Sequence, residues 1–113
     1  MQLQTQTRPK VISVIVLEDR IDAATAIQFK EKMRDLTRDG PDRVVLDLAR
    51  VQFLDSSGLG AIVAVKKLLG PDRALELSGL TPTVEKVFRL TRMDSVFTIH
   101  PSLEVAIKYA ASA

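Results

Sequence analysis

The residues with the clearest chemical potential run Phe53-Leu54-Asp55-Ser56-Ser57-Gly58-Leu59-Gly60. They follow an apolar strand-like segment and open an apolar helix-like one, so Asp55, Ser56 or Ser57 can cap that helix by accepting from its free amides. Gly58 and Gly60 in the first turn point further. Glycine costs a helix up to ~1 kcal/mol against alanine, and it recurs where backbone must lie close to another surface. The free amides and dipole of a helix start also favour an anion. A phosphate on Ser56 would add about −1.5 to −2 charge and three strong acceptor oxygens beside Asp55, turning an apolar docking surface into one that expels its partner. A second short motif, Ile21-Asp22-Ala23-Ala24-Thr25-Ala26, lies upstream. There Asp22 can cap the helix beginning near Ala23.

Other chemistries find little support. There is no cysteine and one histidine, His100, which removes disulfides, thiol nucleophiles and a histidine-rich metal site. A serine hydrolase needs a base within hydrogen-bond reach of its nucleophile. His100 precedes Pro101 at the end of the last strand-like segment, and no Gly-x-Ser-x-Gly elbow is present. Neither a phosphate-binding Gly-x-x-x-x-Gly-Lys-Ser/Thr loop nor a dinucleotide fingerprint occurs. The net charge is +2, with acids among the bases, as in Lys30-Glu31-Lys32 and Asp42-Arg43. A nucleic-acid binder concentrates its bases instead. No apolar run approaches the ~20 residues of a membrane span, and Met1 to Lys10 lack a signal-peptide core, so a cytoplasmic protein is expected.

The elements that must position Ser56 are marked by a repeat. Gly40-Pro41-Asp42-Arg43 returns as Gly70-Pro71-Asp72-Arg73, each copy between a helix-like and a strand-like segment. Gly then Pro stops a helix, because Gly takes the left-handed conformation and Pro cannot continue the helix. Val11 to Leu17 and Val44 to Leu48 are nearly continuous apolar strands, as in a sheet covered on both faces. Leu75 and Leu77 alternate with Glu76 and Ser78, predicting a half-exposed strand; Val96 to Ile99 is the expected last strand, and Leu3 to Thr7 a hairpin partner for Val11 to Leu17. Helical spacing joins Ala26, Phe29, Met33 and Leu36; Val84, Val87, Phe88 and Thr91; and Leu103, Ala106, Ile107 and Ala110. Leu59 to Leu69 is apolar almost all round, so it is either buried on most sides or offers apolar surface to a partner. The expected fold is one α/β domain over 1–113, with its core in about 11–110: a mixed, mainly parallel sheet of about five strands with about four helices.

Asp55-Ser56-Ser57-Gly58-Leu59-Gly60 resembles the phosphorylation-site signature of anti-sigma factor antagonists, which are built on a STAS domain. Ile21-Asp22-Ala23-Ala24-Thr25-Ala26 resembles that family's hydrophobic-Asp-x-x-Thr-Ala loop, and the order of elements agrees from Val11 to Ala110. The resemblance implies a regulator rather than an enzyme, without a cofactor. Its unmodified form would bind an anti-sigma factor that is also a serine kinase and so release a sigma factor. Phosphorylation of Ser56 would end the binding, and a serine phosphatase would restore it. Asp55, Ser57 and Gly58 would frame Ser56, and Asp22 and Thr25 would sit in the neighbouring partner- or nucleotide-facing loop. Leu59, Ile62 and Lys66, in helical step from the signature, are the expected partner-facing edge. At Asp19-Arg20 the chain departs from the family's usual glycine followed by an acidic residue. The same fold also serves as a subunit of lipid or anion transport machinery and of stress-sensing assemblies, the competing expectation.

Overall fold

Three parallel strands laid side by side set the architecture. In the computed structural model, which describes residues 1–112 and the side chains through 109, β2 (Val11–Val16), β4 (Arg43–Asp47) and β6 (Ala74–Ser78) run parallel at the centre of a five-stranded sheet. β1 (Leu3–Thr7) flanks β2 as an antiparallel hairpin partner, and β7 (Ile99–His100) flanks β6 in parallel, giving the order β1-β2-β4-β6-β7. A mixed, mainly parallel sheet is therefore present, as expected.

Side chains alternate across each strand, so the sheet has two unlike faces. On one, Ile12, Val14, Val16, Val44, Leu46, Leu75 and Leu77 meet Phe29 and Met33 of α1 (Ala26–Thr37), Ile62 and Val65 of α2 (Ser56–Leu69), and Val84 and Phe88 of α3 (Pro82–Leu90). On the other, Val11 and Val45 pack with Leu103 and Ala106 of α4 (Leu103–Ser112). Ala110, the last residue of the expected α4 stripe, lies outside the described side chains. Each helix follows a parallel strand or precedes one, as a right-handed crossover requires.

The repeated Gly-Pro-Asp-Arg marks do different work in their two places. Gly70 caps α2 with a left-handed φ of 79° and donates its N–H to the Lys67 carbonyl (3.2 Å). Arg73 then reaches back to the carbonyls of Thr37 (2.6 Å) and Pro41 (2.7 Å), satisfying the C-terminal end of α1. Arg43, its counterpart, points to the α4 face.

There the expectation of a half-exposed β6 is corrected: Glu76 and Ser78 are buried. Arg43 grips Glu76 through Nε (2.6 Å) and Nη2 (2.5 Å), and His100 Nε2 lies 2.6 Å from Glu76 Oε1. Ser78 donates to Asp47 Oδ1 at 2.8 Å. The Tyr109 ring covers Arg43 at 5.1 Å and stands 5.6 Å from the His100 ring. The hydrogen bonds to Glu76 push Arg43 above its ordinary value, outweighing burial. Burial pushes Glu76 up, but the hydrogen bonds it accepts from Arg43 and His100 outweigh it and hold the carboxyl below the usual range.

The last strand also differs from expectation. After α3 the chain turns through Arg92, whose φ is 61°, into a 3-10 turn at Met93–Ser95. Val96 is left exposed, and Phe97 turns inward to meet Phe88 edge-on at 5.8 Å. Pairing with β6 begins only at Ile99.

Because Glu76 titrates lower in the folded chain than in the unfolded one, its contribution to stability is complete above the ordinary carboxylate pKa of about 4.3. It is lost as pH falls through the lowered folded value. Arg43→Met is expected to cost about 3 kcal/mol at neutral pH, since it leaves a buried carboxylate with one partner fewer. It should also flatten the loss of thermal stability between about pH 4.5 and pH 3; equal slopes for both proteins would remove the ion pair from that account.

Candidate functional site

Two short strands position the site. β3 (Arg20–Ile21) and β5 (Phe53–Leu54) pair in parallel as a separate two-stranded ladder, Arg20 opposite Phe53 and Ile21 opposite Leu54. The Asp19 carbonyl accepts from the N–H groups of Gln52 (2.7 Å) and Phe53 (3.2 Å). The loop after Ile21 and the loop after Leu54 therefore leave the ladder side by side, and the two sequence motifs become neighbours. The departure from the family pattern at Asp19-Arg20 shows here: Arg20 pairs with Asp19 (3.4 Å) and lies over the Phe53 ring (5.7 Å), placing a cation on this edge.

Asp55 joins the two loops. Its Oδ1 accepts from Gly58 N–H (2.8 Å), making it the N-cap of α2, and its Oδ2 accepts from Ala23 N–H (3.1 Å) in the opposite loop. That loop is closed on itself. Asp22 Oδ1 accepts from Ala24 N–H (3.1 Å) and from the Thr25 hydroxyl (3.2 Å), and Thr25 Oγ1 accepts from Asp22 N–H (3.0 Å). Asp22 and Thr25 thus shape the turn before α1, which begins at Ala26 rather than near Ala23.

The two glycines separate in role. A Cβ on Gly58 would stand 2.1 Å from the Ile21 carbonyl oxygen and 2.7 Å from Leu54 Cδ1. The surface that this glycine approaches is the protein's own β3. A Cβ on Gly60 would meet nothing within 4 Å.

With Asp55 as the cap, Ser56 and Ser57 are exposed at the start of α2, about 100° apart around the helix axis. Ser56 lines an open, mainly apolar depression of about 420 Å³ with Leu59, Gly60, Val63, Lys67, Thr91 and Met93, between α2 and the end of α3. Ser57 lines the other flank, with Ala26, Ile27, Lys30, Ala61 and Ala64, between α2 and α1.

The expected partner-facing edge needs correction. Ile62 is fully buried in the core, because the 58–61–62–65 stripe of α2 faces the sheet. Leu59 is half-buried, packing on the core while its edge lines the Ser56 depression. Lys66 lies further round, its Nζ 5.8 Å over the Phe97 ring, beside Val63, Pro71 and Val96. The exposed row beyond Ser56 is Leu59, Val63 and Lys67. Val63, Lys67, Thr91 and Met93 were not singled out from the sequence, although steps of four from Leu59 reach the first two.

His100, the sole histidine, sits on the α4 face against Glu76, across the sheet from α2. No imidazole therefore stands beside Ser56. Among the described residues no group of three or more acidic or histidine side chains could hold a metal ion, and no helix is long and apolar enough to cross a membrane.

The STAS domain model matches residues 2–106. The chain belongs to the STAS domain family. Among STAS relatives, the anti-sigma factor antagonist homologue BtrV of Bordetella bronchiseptica is 31% identical over 103 residues, covering 88% of this chain and 89% of that protein. The anti-sigma-B factor antagonist of Staphylococcus aureus is 26% identical over 106 residues, covering 93% and 97%. The crystal structure of an anti-sigma factor antagonist from Mycobacterium paratuberculosis superposes with a TM-score of 0.86 at 26% identity, covering 97% of this chain and 93% of that one. The STAS fold alone is shared with the anti-sigma factor antagonist SpoIIAA in its unphosphorylated form (TM-score 0.78, 21% identity, 99% and 98% covered). It is shared likewise with the murine anion transporter Slc26a9 (TM-score 0.80, 18% identity, 96% of this chain and 19% of that one).

The glycine pair gives a direct test of how the α2 start is held. Gly58→Ala is expected to destabilise by about 3 kcal/mol or more, because its methyl group meets backbone that cannot move aside. Gly60→Ala should be neutral or stabilising by up to about 1 kcal/mol. Urea denaturation of both variants reads the difference, and similar midpoints would mean that α2 is not pressed against β3.

Proposed function

We propose that this protein is an anti-sigma factor antagonist whose partner binding is switched by phosphorylation of Ser56. The observation that carries this reading is the division of labour at the start of α2: Asp55 makes the cap, while Ser56 is exposed at the rim of an apolar depression. The names of the relatives support the coarse function, and SpoIIAA is a protein of this fold solved in both unphosphorylated and phosphorylated forms.

In this reading the unmodified chain acts in the cytoplasm as one domain. It binds an anti-sigma factor that is also a serine kinase, and a sigma factor is released. The partner covers Leu59, Val63 and Met93 in the α2–α3 depression, with Ser57, Asp22 and Thr25 at its margin. Phosphate on Ser56 ends binding through local electrostatics. Asp55, fixed one residue away, opposes the added charge, and desolvating a phosphate against apolar surface is costly. Lys67 stands roughly 16 Å further along the helix, too far to neutralise it at physiological salt. A serine phosphatase resets the switch.

Affinity capture with the unmodified protein and with Ser56→Asp as baits, with mass spectrometry of prey and bait, tests the reading. The expected result is an ATP-binding kinase held by the unmodified bait, phosphate on its Ser56, and recovery at least about tenfold lower with Ser56→Asp at equal thermal stability. A permease or transport ATPase recovered with both baits, without phosphate on Ser56, would make this chain a STAS subunit of a transport assembly instead. If Ser56→Asp melted well below the unmodified protein, Ser56 would be a structural residue.

A further inference from the structure

The flank of α2 that faces α1, adjoining the Ser56 depression along Gly60 and Ala64, carries a second surface. Two adjoining depressions, of about 180 Å³ and 320 Å³, share Lys30 and Ala64 and form one groove between α1 and α2. Its floor is made of small residues, Ala26, Gly60, Ala61 and Ala64. Two aliphatic side chains mark its ends, Ile27 at 68% exposure and Leu68 at 54%. From residue 57 to residue 68 the groove follows α2 for about 16 Å, the length of three helical turns.

The charges along it are uneven. Lys30, Arg34 and Lys67 line the groove against one acid, Glu31. Asp35 lies 3.7 Å from Arg34, but it is bound more closely by Arg38 at 3.0 Å, so it offsets little of the excess. A floor without bulky side chains lets another backbone come close, and exposed aliphatic ends give it apolar anchors. We infer that the α1–α2 groove is a second docking site, for an acidic amphipathic helix of about three turns supplied by a partner protein. A second copy of this chain is a poor occupant, because a two-fold contact sets this cationic rim against itself. A flat lipid surface cannot reach a floor recessed between two helices. The inference does not rest on the reading of Ser56, which lies on the other flank.

The test uses the full chain and a displayed library of 14-residue helices with a fixed aliphatic face and randomised flanks. The expected winners carry Asp and Glu on both flanks. They should shift the backbone amide NMR signals of Ile27, Lys30, Arg34 and Leu68, which line only this groove, and bind at least about tenfold more weakly to the double variant Lys30→Glu, Arg34→Glu, whose sites are exposed. The same library selected on that double variant should return basic flanks, a reversal that a merely structural effect cannot produce. Winners without acidic bias, winners whose shifts map to the Ser56 flank, or no enrichment at all would overturn the proposal. So would sedimentation by phosphatidylglycerol vesicles that the double variant loses while no peptide is selected, since the face would then be a lipid surface.

Discussion

The geometry of the site follows from one close approach, that of the first turn of α2 to the backbone of Ile21. Only a residue without a side chain fits between the helix and the Ile21 carbonyl, and Gly58 is that residue. Once α2 is held there, its N-cap must be the residue whose carboxylate can reach both Gly58 N–H and Ala23 N–H, and Asp55 does both. The residue after a cap in extended conformation begins the helix, so Ser56 emerges at the first helical position with its hydroxyl free of cap duty. Glycine weakens the helix start by up to ~1 kcal/mol at each of positions 58 and 60. The burial of Ala61, Ile62 and Val65 on the same helix offsets that cost.

The two faces of the sheet carry unlike burdens. The α1–α3 face is an ordinary apolar core, and the depressions beside Ser56 and Ser57 lie on its outer rim. The α4 face holds two sets of charge-assisted hydrogen bonds, one joining half-buried Arg43 and buried His100 to buried Glu76, the other joining buried Ser78 to Asp47. A network of that kind is costly if broken and close to neutral in net stability when whole, so its contribution is to fix how β4, β6 and β7 align rather than to add strength. It also occupies the only imidazole in the chain. General base chemistry at Ser56 therefore lacks its usual agent.

Much of this was legible in the sequence, and the rest was hidden for identifiable reasons. Val11 to Leu17 and Val44 to Leu48 announced themselves as covered strands through nearly continuous apolar runs, and Gly70-Pro71 marked the end of α2. β3 and β5, at two residues each, span a single period of alternation, so no repeat could disclose them. Yet they bring the Asp22 and Asp55 loops together. Glu76 looked like a solvent-facing residue because alternation records which face a side chain takes, not whether a helix and an arginine cover that face. Ile62 was misplaced for the opposite reason. A helix apolar on nearly all sides offers several three- and four-residue rows, and only the packing of α2 on the sheet decides which is core. Arg43 and Arg73 close identical tetrapeptides, yet one binds a carboxylate and the other two carbonyls, since Arg43 is the first residue of β4 whereas Arg73 is the residue before β6, one register step away.

α2 presents two unlike flanks beside the sheet. Ser56 and Ser57 are adjacent in the chain, but a step of about 100° sends them to different flanks of α2. Between them the ridge carries Gly60 and Ala64, which line both depressions and project almost nothing. A partner on either flank thus meets backbone and methyl groups rather than long side chains, and no bulky residue shields one flank from a charge placed on the other. The start of α2 carries no acidic residue within its first turn, only Asp55 just before it, whereas Lys66 and Lys67 sit in its last turn. Charge along α2 therefore grades from negative at the serines to positive at the lysines, in the sense that complements the helix dipole. A phosphate at Ser56 steepens that gradient instead of cancelling it, and its effect falls on what touches the first two turns. Lys66 and Lys67 lie more than a Debye length away along the axis, beyond the screened reach of that charge.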